Sequence, residues 1–67
     1  MTKAQASTEV EPGTFRRFGK FGPIYEIVRA TRKRNARGEL LFEILVPETG
    51  ERAEYSESRI LADPKAA

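Results

Sequence analysis

The stretch NARGELLFEILVPETGERAEY, residues 35–55, decides the fold. It places an apolar run between two turn signals. Asn35-Ala36-Arg37-Gly38 has asparagine first and glycine fourth, the pattern a type I turn prefers. With Gly38 in the left-handed region, this becomes a three-residue hairpin loop with a bulge. Pro47 follows Val46 at the second position of another type I turn, and Gly50 supplies a positive φ. Between the turns, Leu40, Phe42, Ile44 and Val46 share one face of a strand, and Leu41 and Leu45 lie on the other. A strand that is apolar on both faces is usually central or covered on both sides.

The two turns set two registers. The first pairs Asn35 with Glu39, and so Arg32 with Phe42, Ala30 with Ile44 and Val28 with Val46. The second pairs Val46 with Glu51, Ile44 with Ala53 and Phe42 with Tyr55. Together they predict Val28, Ala30, Phe42, Ile44, Val46, Ala53 and Tyr55 on one core face. A slip of one residue in either hairpin would turn its set over.

Upstream, Ile24 to Arg34 reads as a strand, favoured by Tyr25, Ile27 and Val28. Thr14 to Phe18 reads as a shorter one. Phe15 and Phe18 are three apart, as on a helix, but Gly19, Gly22 and Pro23 block its extension. In an extended chain, residues three apart face opposite ways. A bulge at Gly19 would bring Phe18 and Phe21 to one face and leave Phe15 for a partner. Downstream, Ser56 reads as an N-cap and Pro64 as a stop. One or two helical turns between them are expected to drop Ile60 and Leu61 onto the open end of the sheet.

The fold class is therefore mainly β: a small antiparallel four-stranded meander, expected to curl into a partly closed SH3-like barrel with a short C-terminal helical turn. A flat three-stranded sheet under a helical turn is the alternative. Residues 1–12 are small and polar and read as a disordered tail. Residues 13–64 form a single domain, and 65–67 are expected to fray.

Composition narrows the chemistry. The 67 residues contain no cysteine and no histidine. That removes disulfides, thiolate zinc sites and the usual nucleophile–base pairs. No metal, no cofactor and no enzyme activity are expected. The lack of cysteine fits a reducing compartment. The opening MTKAQASTEVEPG has no apolar core of a secretory signal, and no apolar run approaches the ~20 residues of a membrane span. A cytoplasmic location and no membrane partner are the expectation. Glu43 opposite Glu54 is the one carboxylate pair the register creates, and it reads as two exposed glutamates beside cations. Gly19 and Gly22 lack the lysine spacing and following helix of a phosphate loop.

Charge is uneven. Residues 16–37 carry eight cations and one anion, a net of +7, while residues 38–67 carry three cations and seven acids, a net of −4. Three candidate surfaces follow. Phe15, Arg16, Arg17 and Lys20, with Phe18 and Phe21, have the residue types that stack and neutralise single-stranded nucleic acid; closing the core is the competing use for the phenylalanines. Arg32, Lys33, Arg34 and Arg37 surround a hairpin tip, where phosphate contact competes with plain solubility. Tyr25, Ile27, Leu41 and Leu45 form a second apolar face, either covered or open to a partner.

The segments GTFRRFGKFGPIYE, ETGERAEY and ILADP resemble a family of short, uncharacterised bacterial proteins. Its members carry a similar R-F-G-x-F-G-P-x-Y-E opening, an E-[ST]-G-E turn and an L-x-D-P ending. The resemblance covers about Gly13 to Pro64 and implies a bacterial, cytoplasmic protein. It brings no activity and no functional residues. The sequence thus points to a non-catalytic module that binds another protein or a second copy of itself. A small single-stranded nucleic-acid-binding protein is the alternative.

Overall fold

The computed structural model describes residues 10–66. Four strands run in chain order: β1 Phe15–Arg17, β2 Ile24–Arg34, β3 Leu40–Val46 and β4 Glu51–Ser56. They form one antiparallel sheet in the order β1-β2-β3-β4, followed by the six-residue helix α1, Glu57–Ala62. The meander with its helical turn is the expected architecture.

The second hairpin has the register its turn dictates. Val46 pairs with Glu51, Ile44 with Ala53 and Phe42 with Tyr55. The Gly50 N–H donates to Val46 O at 2.7 Å. The first hairpin also closes as expected at its tip, where Asn35 N–H donates to Glu39 O at 3.0 Å and Gly38 N–H to Asn35 O at 2.9 Å.

Further along β2 the expected register fails. Ala30 lies opposite Phe42, where Ile44 was expected, and Ile27 lies opposite Ile44. Between Arg34 and Ala30, β2 uses four steps against two on β3; between Arg29 and Ile27 it uses two against one. The surplus is three residues, an odd number, so the inward set flips. Tyr25 and Ile27 are fully buried, Ala30 is exposed and Val28 is half-buried. Ala53, also expected inside, is exposed on β4.

Two physical terms favour the flip. Burying Tyr and Ile removes far more apolar surface than burying Val and Ala, at ~25 cal/mol per Å². In the bulge between Ala30 and Arg34, the Thr31 hydroxyl donates to Leu41 O at 2.8 Å and accepts the Lys33 N–H at 3.1 Å.

The core is Val10, Tyr25, Ile27, Phe42, Ile44, Val46 and Ile60, with Phe18, Leu40 and Tyr55 packed against it. Val10 corrects the expectation that nothing before residue 13 packs; the first nine residues of that expected tail lie outside the described residues. From α1, Ile60 is fully buried, while Leu61 stays 38% exposed. Successive helical residues diverge by about 100°, so one turn can seat only one of them. Ser56 occupies the N-cap position with an extended backbone, but its side chain makes no cap bond.

The sheet does not close, which corrects the barrel expectation. β1 is three residues long, and its outer edge is already occupied. Arg17 N–H donates to Pro64 O and Ala66 N–H to Phe15 O, both at 3.0 Å, and Arg16 pairs with Lys65. Residues 64–66 thus cover the edge that β4 would need for closure. Lys65 and Ala66, expected to fray, are paired; residue 67 lies outside the described residues.

The flipped register has a direct check. Ile27→Ala should cost about 2–5 kcal/mol, enough to unfold much of so small a domain, whereas Val28→Ala should cost about 1 kcal/mol or less. Urea denaturation followed by circular dichroism separates them. Equal losses, or a larger loss at Val28, would contradict the bulged register.

Candidate functional site

The Gly-rich segment after β1 is built around Asp63. Pro64 cannot continue α1, so the helix ends and Asp63 turns extended (φ −85°, ψ 146°), its N–H donating to Ile60 O. The Asp63 carboxylate then accepts two bonds from elements far away in sequence. Gly19 N–H reaches one oxygen at 3.1 Å and the Tyr25 hydroxyl the other at 2.7 Å. The Asp63 backbone carbonyl accepts from the Arg16 guanidinium at 2.8 Å. Burial, then the bond to Asp63 and that residue's charge, push the Tyr25 hydroxyl far above the ordinary phenol range. The phenol therefore stays protonated and remains a donor.

This clamp fixes the loop Gly19-Lys20-Phe21-Gly22. Phe18 N–H donates to Pro23 O at 3.0 Å, and Gly22 N–H to Phe18 O at 2.9 Å. Gly22 is required by close approach, since a Cβ there would stand 2.1 Å from Phe18 O. Below the loop, Phe18, Tyr25 and Tyr55 form a three-ring cluster with centroids 4.4–5.6 Å apart. The Arg59 guanidinium lies 5.9 Å from the Tyr55 ring. Above it, Phe21 is 95% exposed. Phe18 and Phe21 therefore do not share a face, and the aromatic most open to a partner is Phe21. Phe15, expected in that role, is 40% exposed on the opposite sheet face beside Glu26.

Beside this loop lies an open groove of about 410 Å³. Phe18, Pro23, Ile44, Val46 and Ala53 line it, and the hairpin between β3 and β4 edges it with Glu48 and Glu51. The groove exists because β1 and β4 do not meet, which leaves the core side of β3 reachable from this end.

The expected sites are redistributed. Arg16 is 6% exposed and structural; Arg17 is half-buried and donates to Gly22 O at 3.3 Å. Only Lys20, Phe15 and Phe21 of the aromatic-basic strip remain open. The expected second apolar face loses Tyr25 and Ile27 to the core. Leu41 and Leu45 remain on it, both half-buried. On that face Glu43 is held between Arg29 at 2.8 Å and Arg52 at 2.5 Å, and Glu54, paired opposite Glu43, reaches Lys33 at 3.0 Å. Arg32, Arg34 and Arg37 are exposed at the β2–β3 tip. The tip and the Gly19–Gly22 loop sit at opposite ends of β2.

Sequence reasoning missed Asp63 as the organising residue and Phe21 as the exposed one. The proline after Asp63 was the available signal, since it forces an extended turn whose carboxylate must point somewhere.

Among the described residues, no cluster of three or more His, Cys, Asp or Glu could hold a metal ion. Among the described residues, no helix is long and apolar enough to cross a membrane. What fold and site define is a small open β-sheet sealed at one corner by its C-terminal segment. A family of unknown function (DUF5397) matches residues 3–67, and the chain belongs to it. No curated protein matches it.

Two pH effects follow. Glu43 is held below the usual carboxylate range, chiefly by its bond to Arg52 and then by Arg29. Its folded pKa is depressed, so its contribution is present above the unfolded value of about 4.3 and is lost as pH falls through the folded one. Glu43→Gln should flatten the acid limb of a pH–stability curve. Tyr25 runs the other way. Its folded pKa is raised, so the unfolded chain loses a proton first and stability falls above about pH 10. Tyr25→Phe should lower stability at neutral pH by about 1.5–3 kcal/mol, the range for a bond to a charged partner. It should also remove part of the alkaline slope. An unchanged alkaline limb in Tyr25→Phe would contradict the buried phenol–carboxylate bond.

Proposed function

We propose that the protein is a small non-catalytic binding module that docks a partner protein at the Gly19–Gly22 end of its sheet. The observation that carries this reading is Phe21, 95% exposed on a loop whose backbone is fixed by Asp63 and Phe18. A large aromatic on a pre-ordered loop loses little freedom on binding, which is how interface anchors act. The adjoining groove is lined mainly by apolar side chains and is of a size to take one from the partner. The family resemblance and the lack of cysteine favour a bacterial cytoplasm as the setting.

The single-stranded nucleic-acid reading has less support. It needs aromatics and free cations side by side; Arg16 is buried and Arg17 half-buried, and Arg32, Arg34 and Arg37 lie at the far end of β2.

A photo-crosslinking residue at position 21 tests the proposal in lysate of the source organism. Discrete adducts that vanish on Ala53→Glu, at unchanged melting temperature, are expected. Sedimentation velocity across a hundredfold concentration range separates a second copy from a different partner. No adduct above background, with a strictly monomeric chain, would overturn the proposal.

A further inference from the structure

The β2–β3 ribbon outruns its neighbours. β1 pairs β2 only at Ile24–Glu26, and the last rung of β3 with β4 is Leu41–Ser56, while β2 and β3 pair out to Arg34–Leu40. From Ile27 to Gly38 there is no acid and there are five cations: Arg29, Arg32, Lys33, Arg34 and Arg37. The fold answers two of them, Arg29 with Glu43 and Lys33 with Glu54. Among the described residues, Arg32, Arg34 and Arg37 have no carboxylate within ion-pair distance. Glu39, the nearest acid in sequence to Arg34 and Arg37, accepts from the Asn35 amide at 2.9 Å, and that bond first, with the Arg37 charge after it, holds its carboxyl below the usual range.

The tip is also pre-ordered. Asn35 Oδ1 accepts the N–H groups of both Arg37 and Glu39 at 2.9 Å, and the Arg34 guanidinium donates to Gly38 O at 2.7 Å. Protecting the free edge of β2 from pairing requires charge, which Arg29 and Lys33 already supply. Solubility is served by mixed charge of either type. Three exposed arginines without an ion pair, on a fixed two-stranded ribbon, ask for something more. Guanidinium matches phosphate geometry, and a two-stranded ribbon fits the ~12 Å major groove of a duplex. No aromatic lies between Val28 and Leu40, so base stacking is not available there.

We propose that the β2–β3 tip is an arm for the sugar-phosphate backbone of duplex nucleic acid, contacted through Arg32, Arg34 and Arg37 without reading sequence. The arm is independent of the Phe21 end.

Fluorescence anisotropy with a labelled DNA duplex of about 24 base pairs, at 50 and 200 mM KCl, tests this. Three phosphate contacts give a log–log salt slope of about −2.7, or about 40-fold weaker binding at the higher salt. Arg32→Gln and Arg37→Gln should each reduce the slope by about 0.9, and the triple variant with Arg34→Gln should abolish binding. Lys20→Gln and Phe21→Ser, at the other end, should leave it unchanged. Thermal unfolding confirms that each variant is folded. No duplex binding at 50 mM KCl would overturn the proposal, as would a folded triple variant that binds like the parent. Stronger binding to phosphatidylserine vesicles or to polyglutamate than to the duplex would overturn it in favour of a lipid surface or an acidic protein.

Discussion

The structure depends on one carboxylate. Asp63 gathers Gly19, Tyr25 and, through its backbone, Arg16 into one corner. Each bond spans 38 to 47 residues of sequence, so each ties the C-terminal segment to the first third of the chain. Hydrogen bonds to charged groups contribute about 1.5–3 kcal/mol each, a large share of the few kcal/mol available to a domain this small. Arg16 is held inside by the same corner, where the Asp63 carbonyl accepts from its guanidinium. Remove the Asp63 side chain and a buried phenol and a loop amide lose their acceptor together.

Much of the architecture was legible in sequence. The β3–β4 register followed from Pro47 and Gly50 alone, because a four-residue loop leaves only one pairing that keeps Phe42, Ile44 and Val46 inside. The β2–β3 tip was legible for the same reason at Asn35 and Gly38. What lay hidden was the surplus of three residues in β2. A bulge is allowed wherever its orphaned backbone groups find partners, and between Ala30 and Arg34 one such partner is the Thr31 hydroxyl. Alternation counted outward from a turn cannot detect that. The error then spread, since moving Tyr25 and Ile27 inward removed half of the apolar face the sequence seemed to leave open.

The basic, Phe-rich segment shows why composition misleads about sites. Seven residues with three cations and three phenylalanines look like a binding strip. Folding sorts them by geometry: Arg16 and Phe18 go toward the core, Arg17 to a loop carbonyl, and Phe21 out to solvent. Cation and aromatic content is a property of the segment, whereas a binding surface is a property of which side chains remain after the core is satisfied. Of that segment Phe15, Lys20 and Phe21 stay exposed, and the length of β2 divides Phe21 from the arginine tip.

The pairing of residues 64–66 along β1 has a consequence for how the protein is made. Synthesis proceeds at about 5–20 residues per second, so the 47 residues from Arg16 to Asp63 take roughly 2–9 s. During that interval the outer edge of β1 is uncovered and the Arg16 side chain lacks its acceptor. The hairpins β2–β3 and β3–β4 are local and can form early, within microseconds of emerging. Until residues 64–66 emerge the sheet keeps an open flank along β1, and that segment acts as the latch over it.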